Sequence, residues 1–305
     1  MSVSSMTVKQ TNELRGTLRQ QESMARHTSW RAGGAAKVLY QPADIDDLVM
    51  FLRSLPAEES LYWVGLGSNL LVRDGGLNGT VIATSSGLNR LVFLDDDQVR
   101  VEAGVASPKL ARETAKRGLA GMEFLCGIPG TVGGALALNA GALGSETWQR
   151  VASVQTIDRQ GRLHQRTPED YVISYRHVEG PAEEWFVAAT LQLEQGDSAA
   201  SLELIKRYLA RRSATQPTQL PNAGSVFRNP PQDYAARLIE ACGLKNTCVG
   251  GACVSEKHAN FIINTGTATA GDIEALIERV AETVMREHGV ELIREVHIVG
   301  EASSD

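Results

Sequence analysis

A mixed α+β fold of about two domains is what this sequence predicts, and three observations carry it. The 305 residues are enough for roughly two well-buried cores. Short strand-like runs, bounded by glycine and proline, alternate with segments of helical periodicity along the chain. There is no internal repeat, no low-complexity linker and no apolar run of membrane-spanning length.

The elements can be justified in order. Residues 1 to about 25 are polar and read as a frayed end or a short helix. The turn around Gly33-Gly34 leads into a strand at 37–40, and Asp44 can cap a helix whose apolar face is Ile45, Leu48, Val49 and Leu52. Strands follow at 61–64, 70–72 and 80–83. Runs at 91–94 and 99–103 flank the acidic tip Asp95-Asp96-Asp97 as a hairpin. Ser107 as cap and Pro108 at the first position open a helix that Gly118 closes. A second hairpin pairs 151–157 with 162–166, Ile173 to His177 follows, and 185–193 alternates as a strand. Three helices then dominate: 197–215 with Leu202, Ile205 and Leu209 on one face, 233–242 stopped by Gly243, and 272–288 stopped by Gly289. The last has Ile273, Leu276, Ile277, Val280 and Val284 as its core face. A final strand at 290–299 places Leu292, Arg294, Val296 and Ile298 on one face and Ile293, Glu295, His297 and Val299 on the other. Glu295 thus shares a face with aliphatics, an unusual place for a carboxylate unless it is paired or used.

Composition narrows the function. Thirty Lys plus Arg stand against 36 Asp plus Glu, and the net charge of −6 contains no basic block, which argues against a broad nucleic-acid surface. A small anion held by local loops remains open. The first twenty residues hold Lys9, Arg15 and Arg19 without a following apolar core, so no signal peptide is expected and the protein reads as cytoplasmic. Cys126, Cys242, Cys248 and Cys253 form no C-x-x-C pair and no zinc or disulfide framework, and are expected to be reduced thiols; no metal site is expected.

Three stretches carry chemistry. Pro221-Asn222-Ala223-Gly224-Ser225-Val226-Phe227-Arg228-Asn229-Pro230 gathers a hydroxyl, two carboxamides and a cation on a shaped loop between prolines. Either Ser225 does chemistry or these groups only satisfy a turn. Gly65-Leu66-Gly67-Ser68-Asn69-Leu70 follows a strand and presents consecutive backbone N–H groups, as a pyrophosphate requires when no lysine is on hand. It is not G-x-G-x-x-G before a helix, so a Rossmann reading is weak. Gly127-Ile128-Pro129-Gly130-Thr131-Val132-Gly133-Gly134 delivers a small-residue helix. Either a flat ligand lies against its backbone or small residues pack closely there. Two such loops together favour a long ligand with two phosphates.

Taken with Glu295 to Gly300, these stretches occur in the order that identifies a family: the chain resembles the UDP-N-acetylenolpyruvoylglucosamine reductases, flavoenzymes of bacterial peptidoglycan synthesis. The resemblance covers residues 25–300 and implies a two-part FAD-binding unit of the vanillyl-alcohol-oxidase (PCMH) type plus a C-terminal α+β substrate-binding domain. The implied boundaries are 1–25 for an N-terminal extension, 26–196 for the FAD-binding domain with parts at about 26–85 and 86–196, and 197–305 for the substrate domain. The family's longer subclass inserts a tyrosine-bearing loop, for which this chain has no room, so it resembles the shorter subclass. FAD would be held by Gly65, Gly67, Ser68, Asn69 and Leu70 from one loop. The other would contribute Gly127, Ile128, Pro129, Gly130, Val132, Gly133, Gly134, Ala140 and Gly141. Superfamily members that tether the flavin use a histidine or cysteine near the first glycine pair; here Ala35-Ala36 stands there, implying non-covalent FAD.

The resemblance further implies NADPH as co-substrate, UDP-N-acetylglucosamine enolpyruvate as acceptor and no obligate protein partner. Arg176 and Glu295 would hold and polarise the substrate carboxylate, Ser225 would donate a proton, and Asn229 and His258 would touch substrate. His297 stands where the family often has arginine, which leaves its role open. Two rivals are a flavin oxidase or dehydrogenase on the same cofactor fold, and a non-catalytic nucleotide-sugar binding protein. A yellow purified protein excludes the second, and bleaching by NADPH without oxygen argues against the first.

Overall fold

The computed structural model describes residues 14–95 and 97–303. Residues 1–13, part of the polar stretch read as frayed or helical, and Asp96 of the acidic tip lie outside the described residues. Chain contacts divide the rest into two compact units.

The first unit comprises, among the described residues, 14–20, Val38–Leu66 and Gly79–Ala210. Its first part is built on a four-stranded sheet in the order Thr17–Ser23, Ala35–Gln41, Leu77–Ala83, Leu61–Val64. The helix Ile45–Ser54 starts where Asp44 accepts the Asp47 N–H, as expected of the cap, and buries Leu48, Phe51 and Leu52 against Tyr40, Ile82 and Val187. The second part is a five-stranded antiparallel sheet in the order Leu163–Arg166, Val151–Asp158, Glu184–Gln192, Gln98–Glu102, Leu91–Phe93. Both predicted hairpins are present in it. The helices Ser107–Lys116 and Val132–Ala137 close a core with Leu110, Leu136, Trp148 and Val154.

The second unit comprises Gln21–Lys37, Gly67–Asn78 and residues 211–303. Residues 26–37 and 67–78, which the sequence assigns to the cofactor region, therefore group by contact with the C-terminal segment. The helix Ala270–His288 is fixed at its start by the Thr269–Asp272 capping box and at its end by Gly289 at φ 65°. It buries all five predicted core residues beside a three-stranded antiparallel sheet of Cys248–Val249, Ala252–Val254 and Ile262–Asn264. Trp30, fully buried, donates its indole N–H to the Ile262 carbonyl at 2.8 Å.

Several expectations are corrected. Thr17–Ser23 is a strand, not a frayed end or helix; its polarity suits a sheet edge with most side chains exposed, which hides it from hydrophobic patterning. Ala106, not Ser107, is the cap of the Ser107–Lys116 helix, and Ser107 is itself buried in the first turn. Leu202 is 39% exposed, so Ser201 and Ile205 form the buried face of the helix Ser198–Thr215. The final strand shortens to His297–Val299, paired in parallel with Leu70–Val72. Ahead of it the backbone is bonded to the serine loop, Glu295 N–H to the Val226 carbonyl and Arg228 N–H to the Ile293 carbonyl, and Leu292 and Val296 are the buried residues. Cys248 and Cys253 are disulfide-bonded, not reduced: they face each other across an antiparallel pair with Cα atoms 4.1 Å apart. Cys126 and Cys242 are free thiols.

No helix among the described residues is long and apolar enough to cross a membrane.

Candidate active site

The first unit contains a cavity of about 340 Å³ lined by Gly65, Thr131, Gly133 and Gly134 and by Trp63, Tyr171, Glu184 and Trp185. Its size lies at the lower end of the roughly 300–1,000 Å³ of small-molecule sites. Two of its wall residues carry a buried side-chain donor without a hydrogen-bond partner, Trp63 Nε1 and Tyr171 Oη. Trp63 stacks on Trp185 with ring centroids 5.0 Å apart, which fixes one wall. Sequence reading passed over Trp63, Tyr171 and Trp185; aromatic residues in strands signal core first.

The glycines of this cavity divide into two kinds. A Cβ at Gly65 would lie 2.3 Å from Thr131 Oγ1, and one at Gly133 would lie 2.9 Å from the Ala103 Cβ. At these positions glycine is required by close packing within the protein. A Cβ at Gly134 would meet nothing within 4 Å, so its missing side chain leaves room on the cavity side. Close packing, one of the two alternatives raised by the sequence, therefore accounts for Gly133 but not for Gly134. The Val132 and Gly133 N–H groups donate to the carbonyls of Val105 and Ala103, so these residues shape the cavity with their amides already occupied. Gly130, at φ 124°, makes the turn into this helix, after the one-turn helix Glu123–Gly127 and Ile128-Pro129.

Arg176 lies at the tip of the hairpin formed by Val172–Ser174 and His177–Glu179, with φ 54°. Its guanidinium donates to the Gly141 carbonyl at 2.6 Å and to the Asn139 carbonyl at 3.5 Å. The structure thus joins Arg176 to the Ala140-Gly141 end of the second glycine-rich loop. The buried Asn139 fixes that end, donating to Glu146 and to the Ser174 carbonyl and accepting the Trp148 N–H.

In the second unit the Gly65–Leu70 loop continues through Gly67, at φ 59°, where a Cβ would lie 2.0 Å from the His27 carbonyl. Ser29 N–H bonds the Gly67 carbonyl. Ser68 follows at the turn, and Leu70 pairs with His297. Asn69 has its side chain engaged: Nδ2 donates to the Glu295 carbonyl at 3.0 Å, while its own carbonyl accepts the His297 N–H at 3.0 Å. It therefore holds the backbone that leads out of Glu295.

Ser225, half-buried, follows Gly224 at φ 77°, whose N–H is accepted by Asn222 Oδ1 in an Asx turn. The next residue links it to Glu295, through the Val226 carbonyl and the Glu295 N–H at 2.8 Å. Ser225, 70 positions before Glu295, is thus connected to it through the backbone of its neighbour Val226. Asn229 is exposed, and its Oδ1 accepts the Ala235 N–H at the start of the helix Ala235–Ala241. His258 stands in the turn after Ala252–Val254, with Nδ1 accepting the Asn260 N–H at 3.3 Å and its ring edge-on to Phe261. Burial, with Lys245 nearby, holds its pKa below the ordinary histidine value. His297 is also lowered, by burial and by Arg228, whose Nε is buried without a partner. No group of three metal-ligating side chains is placed to hold an ion among the described residues.

A glycine-shaped cavity in one α+β unit and a braced serine and glutamate in another define a flavoprotein oxidoreductase once the family models are laid on them. Residues 36–166 match the FAD binding domain, and residues 216–299 match the UDP-N-acetylenolpyruvoylglucosamine reductase, C-terminal domain. The chain is 62% identical over 289 residues to the UDP-N-acetylenolpyruvoylglucosamine reductase of Alkalilimnicola ehrlichii, covering 95% of this chain and 97% of that one. It is 56% identical over 304 residues to the protein of the same name from Legionella pneumophila, covering 99% of each. A crystal structure of UDP-N-acetylenolpyruvylglucosamine reductase from Thermus caldophilus aligns with a TM-score of 0.80 at 31% identity, covering 93% of this chain and 99% of that one. This chain belongs to the UDP-N-acetylenolpyruvoylglucosamine reductase family.

Proposed function

We propose that this chain reduces UDP-N-acetylglucosamine enolpyruvate to UDP-N-acetylmuramate with NADPH and FAD, in the cytoplasm of a bacterium making peptidoglycan precursors, and that Ser225 supplies the proton. Family membership over nearly the whole length supports the reaction and its cofactors. The observation that carries the residue roles is the coupling of Ser225 to Glu295 through Val226.

The first unit fits FAD. Gly134 would let the cofactor approach the backbone, between walls that Gly65 and Gly133 shape by packing on Thr131 and Ala103. Gly67, Ser68, Asn69 and Leu70, with Gly127 to Gly130 and Ala140-Gly141, would complete its loops. Ala35 and Ala36 follow Gly33-Gly34, so the cofactor is held without a covalent bond. When bound, FAD supplies the relay of hydride from NADPH to the methylene carbon of the enolpyruvyl group.

The chain's own residues handle charge and proton. As hydride is added, negative charge develops on the carbon beside the substrate carboxylate. Arg176 is the fixed cation assigned to that carboxylate, already oriented by the Gly141 carbonyl and so needing little reorganisation. Glu295 serves the same group either in its protonated form or bridged to it by a cation, since two carboxylates do not share a site when both are charged. Ser225 Oγ gives its proton to the developing carbanion, which is a far stronger base than an alkoxide, so transfer runs downhill once geometry is right. Asn229 and His258 are assigned to positioning the sugar nucleotide.

The test is anaerobic visible absorbance of the purified protein. NADPH should bleach the flavin bands, and UDP-N-acetylglucosamine enolpyruvate should restore them. Bleaching without recovery would mean a flavoprotein with a different acceptor.

A further inference from the structure

We propose that Asn260 is a positioning residue for the Ser225 hydroxyl. The proposal rests on the reading of Ser225 as proton donor and deepens it. Asn260 is 3% exposed and makes three hydrogen bonds to the two residues that follow Ser225. Its carbonyl accepts the Val226 N–H at 2.9 Å, its Oδ1 accepts the Phe227 N–H at 3.0 Å, and its Nδ2 donates to the Phe227 carbonyl at 2.8 Å. One side chain therefore satisfies both peptide groups of a buried aromatic residue, Phe227 being 1% exposed, 33 positions away in sequence. No secondary-structure ladder does this work: Phe227 has only an isolated bridge, to Arg294.

The geometry ties the hydroxyl to the clamp. Gly224, at φ 77° and with open space around it, gives the chain conformational freedom immediately before Ser225. The Asx turn at Asn222 restrains the chain on that side, and on the other side the restraint comes through Val226 and Phe227. The Val226 carbonyl is also the acceptor for Glu295 N–H, so a shift of this segment would move Ser225 and loosen Glu295 together. Asn260 is itself held, its N–H bonded to His258 Nδ1. Truncating it would leave the Phe227 N–H and carbonyl buried and unpaired, and the segment relieves that only by moving. A displacement on the order of 1 Å is enough to slow a proton transfer about 100-fold.

The experiment separates the two half-reactions in the full-length holoenzyme of Asn260→Ala, Ser225→Ala and the double variant, by anaerobic stopped-flow absorbance. Asn260→Ala should leave flavin reduction by NADPH within about twofold and slow reoxidation by UDP-N-acetylglucosamine enolpyruvate about 100-fold, as a kcat effect with little change in KM. In the Ser225→Ala background the same change should cost almost nothing further, because there is no hydroxyl left to place. Equal slowing of both half-reactions, or an undiminished penalty in the Ser225→Ala background, would overturn the positioning role while leaving the proton-donor reading standing. Normal reoxidation in Ser225→Ala would overturn that reading, and this proposal with it. Should Asn260→Ala not fold, Asn260→Asp replaces it. Its protonated carboxyl supplies both an acceptor and a donor, so reoxidation should recover as pH falls; a rate that does not recover counts against the clamp.

Discussion

The two units hold their sites by opposite means. In the first, function is made by leaving side chains out: Gly65 and Gly133 let loops close on Thr131 and Ala103, and Gly134 leaves the cavity open. In the second, it is made by adding carboxamides: Asn69 holds the backbone that leads out of Glu295, Asn222 shapes the turn before Ser225, and Asn260 grips the two residues after it. A ligand that lies along backbone needs space and tolerates generic walls. A proton donor needs one place, and carboxamides bonded to the backbone around it give it.

The comparison is broken most forcefully at Ser225. Ser225→Ala should slow substrate-driven flavin reoxidation by about 10²–10⁴-fold while leaving reduction by NADPH nearly intact. Single-turnover kinetics of each half-reaction read this directly. If both halves slow alike, the second unit does not place a proton donor and the contrast between the units loses its chemical meaning.

The same contrast decides what was legible in the chain. Glycine punctuates sequence locally, so the loops at Gly65 and Gly127 were readable, as were the helices whose caps and periodicity lie within one element, such as Ala270–His288. The amide clamps were not readable, because their partners are far apart: Phe227 with Asn260, and Asn69 with Glu295, 226 positions away. Asn69 and Asn260 look in sequence like ordinary turn residues, and only the fold shows what their carboxamides hold. The same distance effect hid the end of the chain. Alternation from 290 to 299 suggested one strand, but the serine loop takes the hydrogen bonds of its first half. The Cys248–Cys253 bridge was hidden for another reason: five-residue spacing matches no framework, and only the Gly250-Gly251 turn sets the two thiols opposite each other.

Next in size is a pair of glycine substitutions with opposite signs. Gly65→Ala puts a methyl 2.3 Å from Thr131 Oγ1, and Thr131 is only 3% exposed, so little can yield. Overpacking of this kind costs about 1–3 kcal/mol, and the apoprotein should melt several degrees lower. Gly134→Ala adds a methyl in open space within the helix Val132–Ala137, where alanine is favoured over glycine by up to about 1 kcal/mol. The apoprotein should then be as stable as the parent or more so, yet bind FAD more weakly, as read by flavin fluorescence on titration. Destabilised Gly134→Ala apoprotein with unchanged FAD affinity would show that this glycine, too, serves packing alone.

The smallest effect sharpens the amide side of the comparison through pH. His258 accepts the Asn260 N–H on Nδ1, which requires that nitrogen to be unprotonated, and its folded-state pKa is lowered from 6.5 by burial and by Lys245. The unfolded chain therefore binds the proton more readily than the folded one. The stabilisation is fully present above the unfolded value and is lost as pH falls from there through the lower folded value. His297 is shifted in the same direction, by desolvation and by Arg228, and adds to the same dependence. Melting temperature should thus decline below about pH 6.5, and His258→Gln, which keeps an acceptor but cannot titrate there, should flatten that decline. An equally steep decline in the variant would remove His258 from the account. A flattened one would tie the acid sensitivity of the second unit to the residue that holds the Asn260 backbone.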